Sequence, residues 1–356
     1  MKRQALGLLL LTGCAVGRAA FGPPALPLHA EHHVVRTPDG WDLALTHYRS
    51  IKPLPNRRPV LLLHGVVTNS RNLDLDERHS LLRWLAARGI DAWALSVRGK
   101  GNSARPAFIG GDKRWDWTFD TYVTVDAPAA LAYVRAKTGA DKIDCVGHSL
   151  GGMMLYALLA RGGEPAASVG AVVTLGSPIG FRWGPRFTSW AKAATAVGKH
   201  LPYVPLTTAT IGFLPVLDWF PEPLERLFYN PNNVPTALWS SFLSVGVDDE
   251  PGSLIEQADL WLERDRFLSA DGKLDYEERL RDVRAPMLVV AGKVDQLGFP
   301  PLVRRAYDAL GGKKRWLLVG EENGATADYG HMDLLLGDHA PQDVFVPLER
   351  WLAEQP

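Results

Sequence analysis

Hydrophobic and polar residues change rhythm several times along the 356-residue chain, and each change predicts an element. Val34-Val35-Arg36, the turn signal Thr37-Pro38-Asp39-Gly40 and the alternating stretch Trp41 to Arg49 predict a β-hairpin. Residues 315–319 read as a further strand. Short continuous apolar runs stand at 59–64 (PVLLLH), 90–96 (IDAWALS), 142–146 (KIDCV), 169–175 (VGAVVTL) and 286–291 (PMLVVA). Such runs fit strands buried on both faces, as in a parallel sheet. Helical spacing fills the intervals 78–88, 119–137, 150–161, 301–310 and 341–354. Gly89 stops the first of these, and Pro128 marks a new turn or a kink in the second. Strands alternating with helices predict an α/β fold, a mostly parallel central sheet with helices on both faces. The alternation lapses over 179–283, which is rich in Trp, Phe, Pro and Leu and holds no buried strand. That stretch reads as a helical cap inserted between core segments 31–178 and 284–356.

Ahead of the globular pattern, Lys2 and Arg3 precede the apolar run Ala5 to Leu11, which is too short to span a bilayer. These are the charged and apolar regions of an export signal covering residues 1–13. The run ends in Leu11-Thr12-Gly13-Cys14, which looks like a bacterial lipobox: a small residue fits the peptidase cleft and the Cys14 thiol accepts the lipid. Several acyl chains on Cys14 supply stable membrane anchoring. Residues 14–30, with the proline-rich FGPPALPLHA, then form a semi-stiff tether. The reading expects an exported, membrane-anchored lipoprotein, at the outer membrane in a Gram-negative cell. The alternative is an ordinary secretory signal in which Cys14 is incidental.

Composition narrows the function. The chain is 46% hydrophobic and 22% charged, which excludes a disordered protein. Its 39 basic and 39 acidic residues cancel, so nothing points to a nucleic-acid partner. No apolar stretch reaches 18 residues, against a membrane-spanning helix. The two cysteines, Cys14 and Cys145, build no disulfide framework, and Cys145 inside a strand run reads as an inert apolar group. No metal-ligand spacing such as H-E-x-x-H occurs, and Phe267 stands where the loop around Asp271-Gly272 would need its first calcium ligand. No cofactor or metal is expected.

Gly147-His148-Ser149-Leu150-Gly151 matches G-x-S-x-G between a strand run and an apolar helix. A strand-to-helix turn this tight tolerates no side chain at its glycines and holds the serine hydroxyl exposed above the sheet. A serine is a weak nucleophile and needs a base steadied by a carboxylate, in the chain order serine, acid, histidine. Asp295, just past the run PMLVVA, fits the acid; after VGAVVTL no carboxylate appears until Asp218. Only His331 and His339 lie beyond Asp295. His331, in Tyr329-Gly330-His331-Met332-Asp333, follows a strand by a short loop and is the preferred base; His339 reads as a surface or capping residue. Asp328, Asp333 and Asp338 lie too near His331 in sequence to reach its far ring nitrogen easily. The oxyanion donors are expected to be the backbone amides of Val66 and Leu150, with His64 shaping the loop.

These motifs resemble a family. Arg98-Gly99-Lys100-Gly101-Asn102-Ser103 is similar to the R-G-x-G-x-S loop of many α/β-hydrolases. The stretches EHHVVRTPDGWDLALTHYR, TFDTYVTVDAPAALAYVRAKTGADKIDCVGHSLGG and YGHMDLLLGDHAPQDVFVPLERWL resemble the acid lipases, the gastric and lysosomal enzymes and their bacterial relatives. The resemblance covers roughly 31–178 and 284–354. It implies an α/β-hydrolase fold with a cap, hydrolysis of carboxylic esters, often lipids, and roles for His64-Gly65-Val66, Ser149, Asp295 and His331. Leu150 stands where those lipases carry glutamine, Gly330 where asparagine is usual, and the cap holds no cysteine. The expected activity is therefore a serine esterase or lipase working through an acyl-enzyme on Ser149. Its alternatives are an acyltransferase using the same intermediate and a non-catalytic lipoprotein that binds an apolar ligand. Of Trp183, Phe187, Trp190, Phe213, Trp219, Phe220, Phe228, Trp239 and Phe242, most are expected to pack the cap's own core and a few to face the pocket.

Overall fold

The computed structural model describes residues 30–50, 52–107, 111–183, 185–213 and 225–355. The export signal, Cys14 and the tether up to residue 29 lie outside the described residues, as do Trp219 and Phe220 and the side chains of Phe187, Trp190 and Phe213.

Eight strands make one sheet: β1 (Ala30–Arg36), β2 (Asp42–Tyr48), β3 (Val60–Leu63), β4 (Ala92–Ser96), β5 (Ile143–His148), β6 (Val169–Leu175), β7 (Met287–Gly292) and β8 (Lys314–Val319). Their order is β1-β2-β4-β3-β5-β6-β7-β8. The hairpin partners β1 and β2 run antiparallel, as do β2 and β4, and the six strands from β4 to β8 are parallel. Every residue of β3 to β7 is buried, as the unbroken apolar runs require, whereas β2 alternates. Successive residues feed two cores. Leu61, Leu63, Trp93 and Leu95 pack on one face, and Val60, Leu62, Ala92 and Ala94 on the other.

The helices fall close to the expected intervals: Leu81–Ala87, Ala127–Thr138, Leu150–Arg161, Pro300–Ala309 and Val346–Ala353. Ser80 caps the first through a bond from the Arg83 amide, which trims it from the expected start at 78. Pro128 enters the first turn of Ala127–Thr138, and the preceding stretch Tyr122–Asp126 is a π-turn. Proline supplies no amide to the ladder, so the helix widens just ahead of it.

The insertion is helical at Pro185–Gly198, Leu206–Phe213, Thr236–Gly246 and Gly252–Arg264, with a two-residue ladder joining Tyr203–Val204 to Glu250–Pro251. Its last part packs with the main core. Trp261, Phe267 and Tyr276 set their rings 5.1, 5.7 and 6.4 Å from Phe119. Among the described residues no helix is long and apolar enough to cross a membrane.

Candidate active site

Ser149 sits between β5 and the helix Leu150–Arg161 with φ 53° and ψ −121°. A Cβ at Gly147 would collide with the Gly152 amide, and one at Gly151 with the Leu63 carbonyl of the neighbouring strand. Glycine at both positions is what lets the chain turn this sharply. The Ser149 amide donates to Leu175 O at 2.8 Å, pinning the turn to β6. Leu150 opens the helix, where first-turn amides lack intrahelical acceptors and favour negative charge.

Past the end of β7, the Asp295 amide donates to Gly292 O at 3.1 Å. Oδ1 of Asp295 accepts from the amides of Leu297 (2.9 Å) and Gly298 (2.7 Å). Oδ2 faces His331 Nδ1 at 2.8 Å, with both side chains buried. Nδ1 therefore carries the proton donated to the carboxylate, and Nε2 is the other ring nitrogen. Gly176, at φ +59°, leaves room for the pair: a Cβ there would stand 3.0 Å from Asp295 Oδ2 and 3.1 Å from His331 Nδ1. His339 is exposed, and its carbonyl accepts the amides of Gln342 and Asp343.

His148, a residue the sequence reading does not single out, donates through Nε2 to the His331 carbonyl at 3.1 Å. Its Nδ1 has no partner among the described residues. Burial, with the His331 ring 4.7 Å away, holds its pKa well below the ordinary histidine value, so the ring is neutral. Its place between Gly147 and Ser149 is the signal that could have found it. The His331 loop is also clasped by the insertion: Met332 N donates to Phe228 O (2.9 Å), Asn230 N to Asp333 Oδ2 (2.9 Å) and Asn233 Nδ2 to Asp333 Oδ1 (3.0 Å).

On the opposite side, His64 shapes the loop after β3. Its Nδ1 donates to Gly65 O at 2.9 Å and its Nε2 accepts the Val97 amide at 3.3 Å. Burial pushes its pKa down to about 4, which keeps it neutral in this bridging form. Val66 lies on the cavity wall. Val67 follows with φ +54°, an uncommon conformation for a β-branched residue. Its amide donates to Glu250 Oε1 at 2.6 Å, and the Lys100 ammonium meets the same oxygen at 2.6 Å, both charges buried. Lys100 also donates to the Asp249 carbonyl. Asp248 completes the knot, its amide donating to Val67 O (2.8 Å) while its carboxylate accepts from Gly101 N and Asn69 Nδ2, both at 2.7 Å. Burial alone would raise the Asp248 pKa, but Arg105 and Lys100 outweigh it and hold the carboxyl below the usual range. Neither Glu250 nor Asp248 carries a local sequence signal.

Ser149, His148, His331 and Val66 open on one cavity of about 700 Å³ with mostly apolar walls. Of the aromatics singled out in the insertion, Phe228, Trp239 and Phe242 line it. Trp183 instead donates its indole N–H to Leu297 O at 2.8 Å, bracing the loop that carries Asp295. Among the described residues no direct hydrogen bond joins the Ser149 hydroxyl to His331. Cys145 is buried within β5, and burial pushes its thiol up, away from the thiolate.

Comparison with known proteins places this geometry. The alpha/beta hydrolase fold family matches residues 58–338. Triacylglycerol lipase 2 of Arabidopsis thaliana is 34% identical over 110 residues, 30% of this chain and 26% of its own. The human lysosomal acid lipase/cholesteryl ester hydrolase is 30% identical over 129 residues, 34% of this chain and 32% of its own. The aligned stretch thus spans a third or less of either relative. A solved thermophilic esterase from Thermogutta terrifontis superposes with a TM-score of 0.59 over 91% of this chain and 99% of its own, at 16% identity, a likeness of fold. By the extent of the family match, by strand order and by the serine turn between β5 and its helix, this chain belongs to the α/β-hydrolase fold family.

Proposed function

We propose that the protein hydrolyses carboxylic esters of apolar acyl groups through an acyl-enzyme on Ser149. The observation that carries this reading is the buried Asp295–His331 pair beside Ser149 on the wall of one apolar cavity. His331 Nε2 takes the hydroxyl proton as Ser149 Oγ attacks the ester carbonyl, and Asp295 steadies the imidazolium. The Ser149–His331 bond forms when substrate seats, as catalytic bonds in unliganded sites commonly do. The amides of Val66 and Leu150 hold the tetrahedral oxyanion. His331 then protonates the leaving alcohol, and water, activated in the same way, releases the acid. The cavity's volume and apolar lining suit a lipid-like acyl chain, in keeping with the lipases among the relatives.

Ser149→Ala tests the reading on p-nitrophenyl esters of graded chain length. Turnover is expected to fall by at least roughly 10³-fold, with fluorophosphonate labelling lost. Retained turnover defeats the assignment. Product analysis with glycerol present separates hydrolysis from acyl transfer. The proposal extends to an exported lipoprotein anchored through Cys14; Cys14→Ser is then expected to move the protein out of the membrane fraction, and unchanged fractionation removes the anchor.

A further inference from the structure

We propose that Glu31, His33 and His47 form a zinc-type divalent-cation site on the outer hairpin, apart from the hydrolytic site. The β-pleat explains how they meet. Glu31 and His33 are two apart on β1 and share a face, and Glu31 stands directly opposite His47 on β2. No linear metal motif links them, because the site is made by strand register.

Oε2 of Glu31 lies 3.4 Å from His33 Nε2 and 3.4 Å from His47 Nδ1. One ligand atom from each residue falls within 4.8 Å of the others. Tetrahedral zinc with bonds of about 2.0–2.2 Å spaces its ligand atoms by about 3.3–3.5 Å, which matches the two carboxylate–imidazole edges. An ordinary His–Glu ion pair would show an N–H donated to the carboxylate. Here His33 Nε2 and His47 Nδ1 face Oε2 at ion-pair distance without a well-aligned hydrogen bond, and His47 Nε2 is buried without a partner among the described residues. His47 is only 2% exposed, so its Nε2 is a costly group to leave unpaired.

The surroundings hold the imidazoles in place. Tyr133 Oη sits 3.2 Å from His33 Nδ1, which turns Nε2 toward Glu31. The His47 ring stacks on Trp93 at 3.6 Å with an interplanar angle of 7°. A hydrogen bond on the far nitrogen and an apolar wall are the usual supports of ligating histidines. Two imidazoles and one carboxylate suit zinc rather than calcium or magnesium, with the fourth position left to water on the half-exposed Glu31 side. Arg49 Nε, 3.6 Å from Glu31 Oε1, is the cation an ion would displace, and at 68% exposure it is free to turn outward. The bound ion would clip β1, the outermost strand, to β2.

Calorimetric titration of the chelator-treated full chain with Zn²⁺, together with zinc content after gel filtration, tests the site. One ion per chain with micromolar or tighter affinity is expected, and thermal stability should rise with zinc. Glu31→Gln should weaken binding at least about tenfold, and Tyr133→Phe, which removes only the far-nitrogen partner, by about 10-fold or more. His47→Gln disturbs the Trp93 stack, so the half-exposed Glu31→Gln, checked by circular dichroism, is the deciding variant. No zinc uptake by the wild type, or equal uptake by Glu31→Gln, overturns the site.

Discussion

Asp295 and His331 meet through contacts supplied mainly by the ends of the central strands, whereas the loop at Val66 and Val67 is held by carboxylates reaching in from the insertion. On what the proposed mechanism makes the base side, the Asp295 carboxylate is fixed by two amides of its own turn, and Gly176 at the end of β6 clears the space. On what it makes the oxyanion side, Glu250 grips the Val67 amide while neutralising buried Lys100, and Asp248 ties the loop to Gly101 and Asn69. The Asp295 turn is local backbone geometry; the Val66–Val67 loop is held by a polar knot between segments some 150 residues apart, as in the Lys100–Asp249 bond. The difference predicts that the base side fails by chemistry and the oxyanion side by folding and chemistry together.

The sharpest break of that comparison is Asp295→Asn. The amide side chain can still accept from Leu297 and Gly298 but no longer selects the Nδ1-protonated imidazole. In the proposed mechanism kcat falls by roughly 10³–10⁴ with little change in Tm. A drop of only a few-fold at neutral pH would remove Asp295 from the acid role.

Next in size is Glu250→Leu. It strands the Lys100 cation in the interior, which costs about 3–5 kcal/mol of stability, and frees the Val67 amide. Turnover should fall by about 10–100-fold as the oxyanion loop loses its hold. Adding Lys100→Met removes the stranded charge, so the double variant should regain most of the Tm while kcat stays low. If kcat returns together with Tm, Glu250 serves stability alone and the two sides fail alike.

What could be read in advance follows the same division. The Gly147-His148-Ser149-Leu150-Gly151 turn is legible because a tight strand-to-helix junction excludes Cβ atoms at fixed positions, a constraint written over five residues. Asp295 is legible because it follows a buried apolar run with no rival carboxylate after the run before it. Lys100, Asp248 and Glu250 are not, because a buried ion pair depends on which distant loops touch, and charged residues in loops look alike in one sequence. The same holds for Glu31, His33 and His47, whose meeting depends on hairpin register. The insertion shows a further limit. Its aromatics do not announce their neighbours: Trp239 and Phe242 face the cavity, Trp183 braces the Asp295 loop, and Trp261 joins the main core.

The insertion also grips the base side, at Asp333, and this contact sets the smallest predicted effect. Burial raises the Asp333 pKa to about 7, against the opposing bonds from Asn230 N and Asn233 Nδ2. In the unfolded chain an aspartate titrates near about 3.9. Between these values the folded protein keeps a proton that the unfolded chain has released, so stability falls as pH rises from about 4 to about 7 and levels off above. The slope from this group is at most about 1.4 kcal/mol per pH unit. His64 and His148 work in the opposite sense, since burial lowers their pKa and adds stability as pH rises toward the unfolded histidine value of about 6.5, so the wild-type curve alone is ambiguous. The readout is therefore a difference: Tm at pH 5 minus Tm at pH 7.5, at constant ionic strength, in the wild type and in Asp333→Asn. The wild type should give the larger positive value, because asparagine has no proton to lose. Identical values in the two proteins would mean that Asp333 stays ionised when folded and that the clasp on the His331 loop is indifferent to pH.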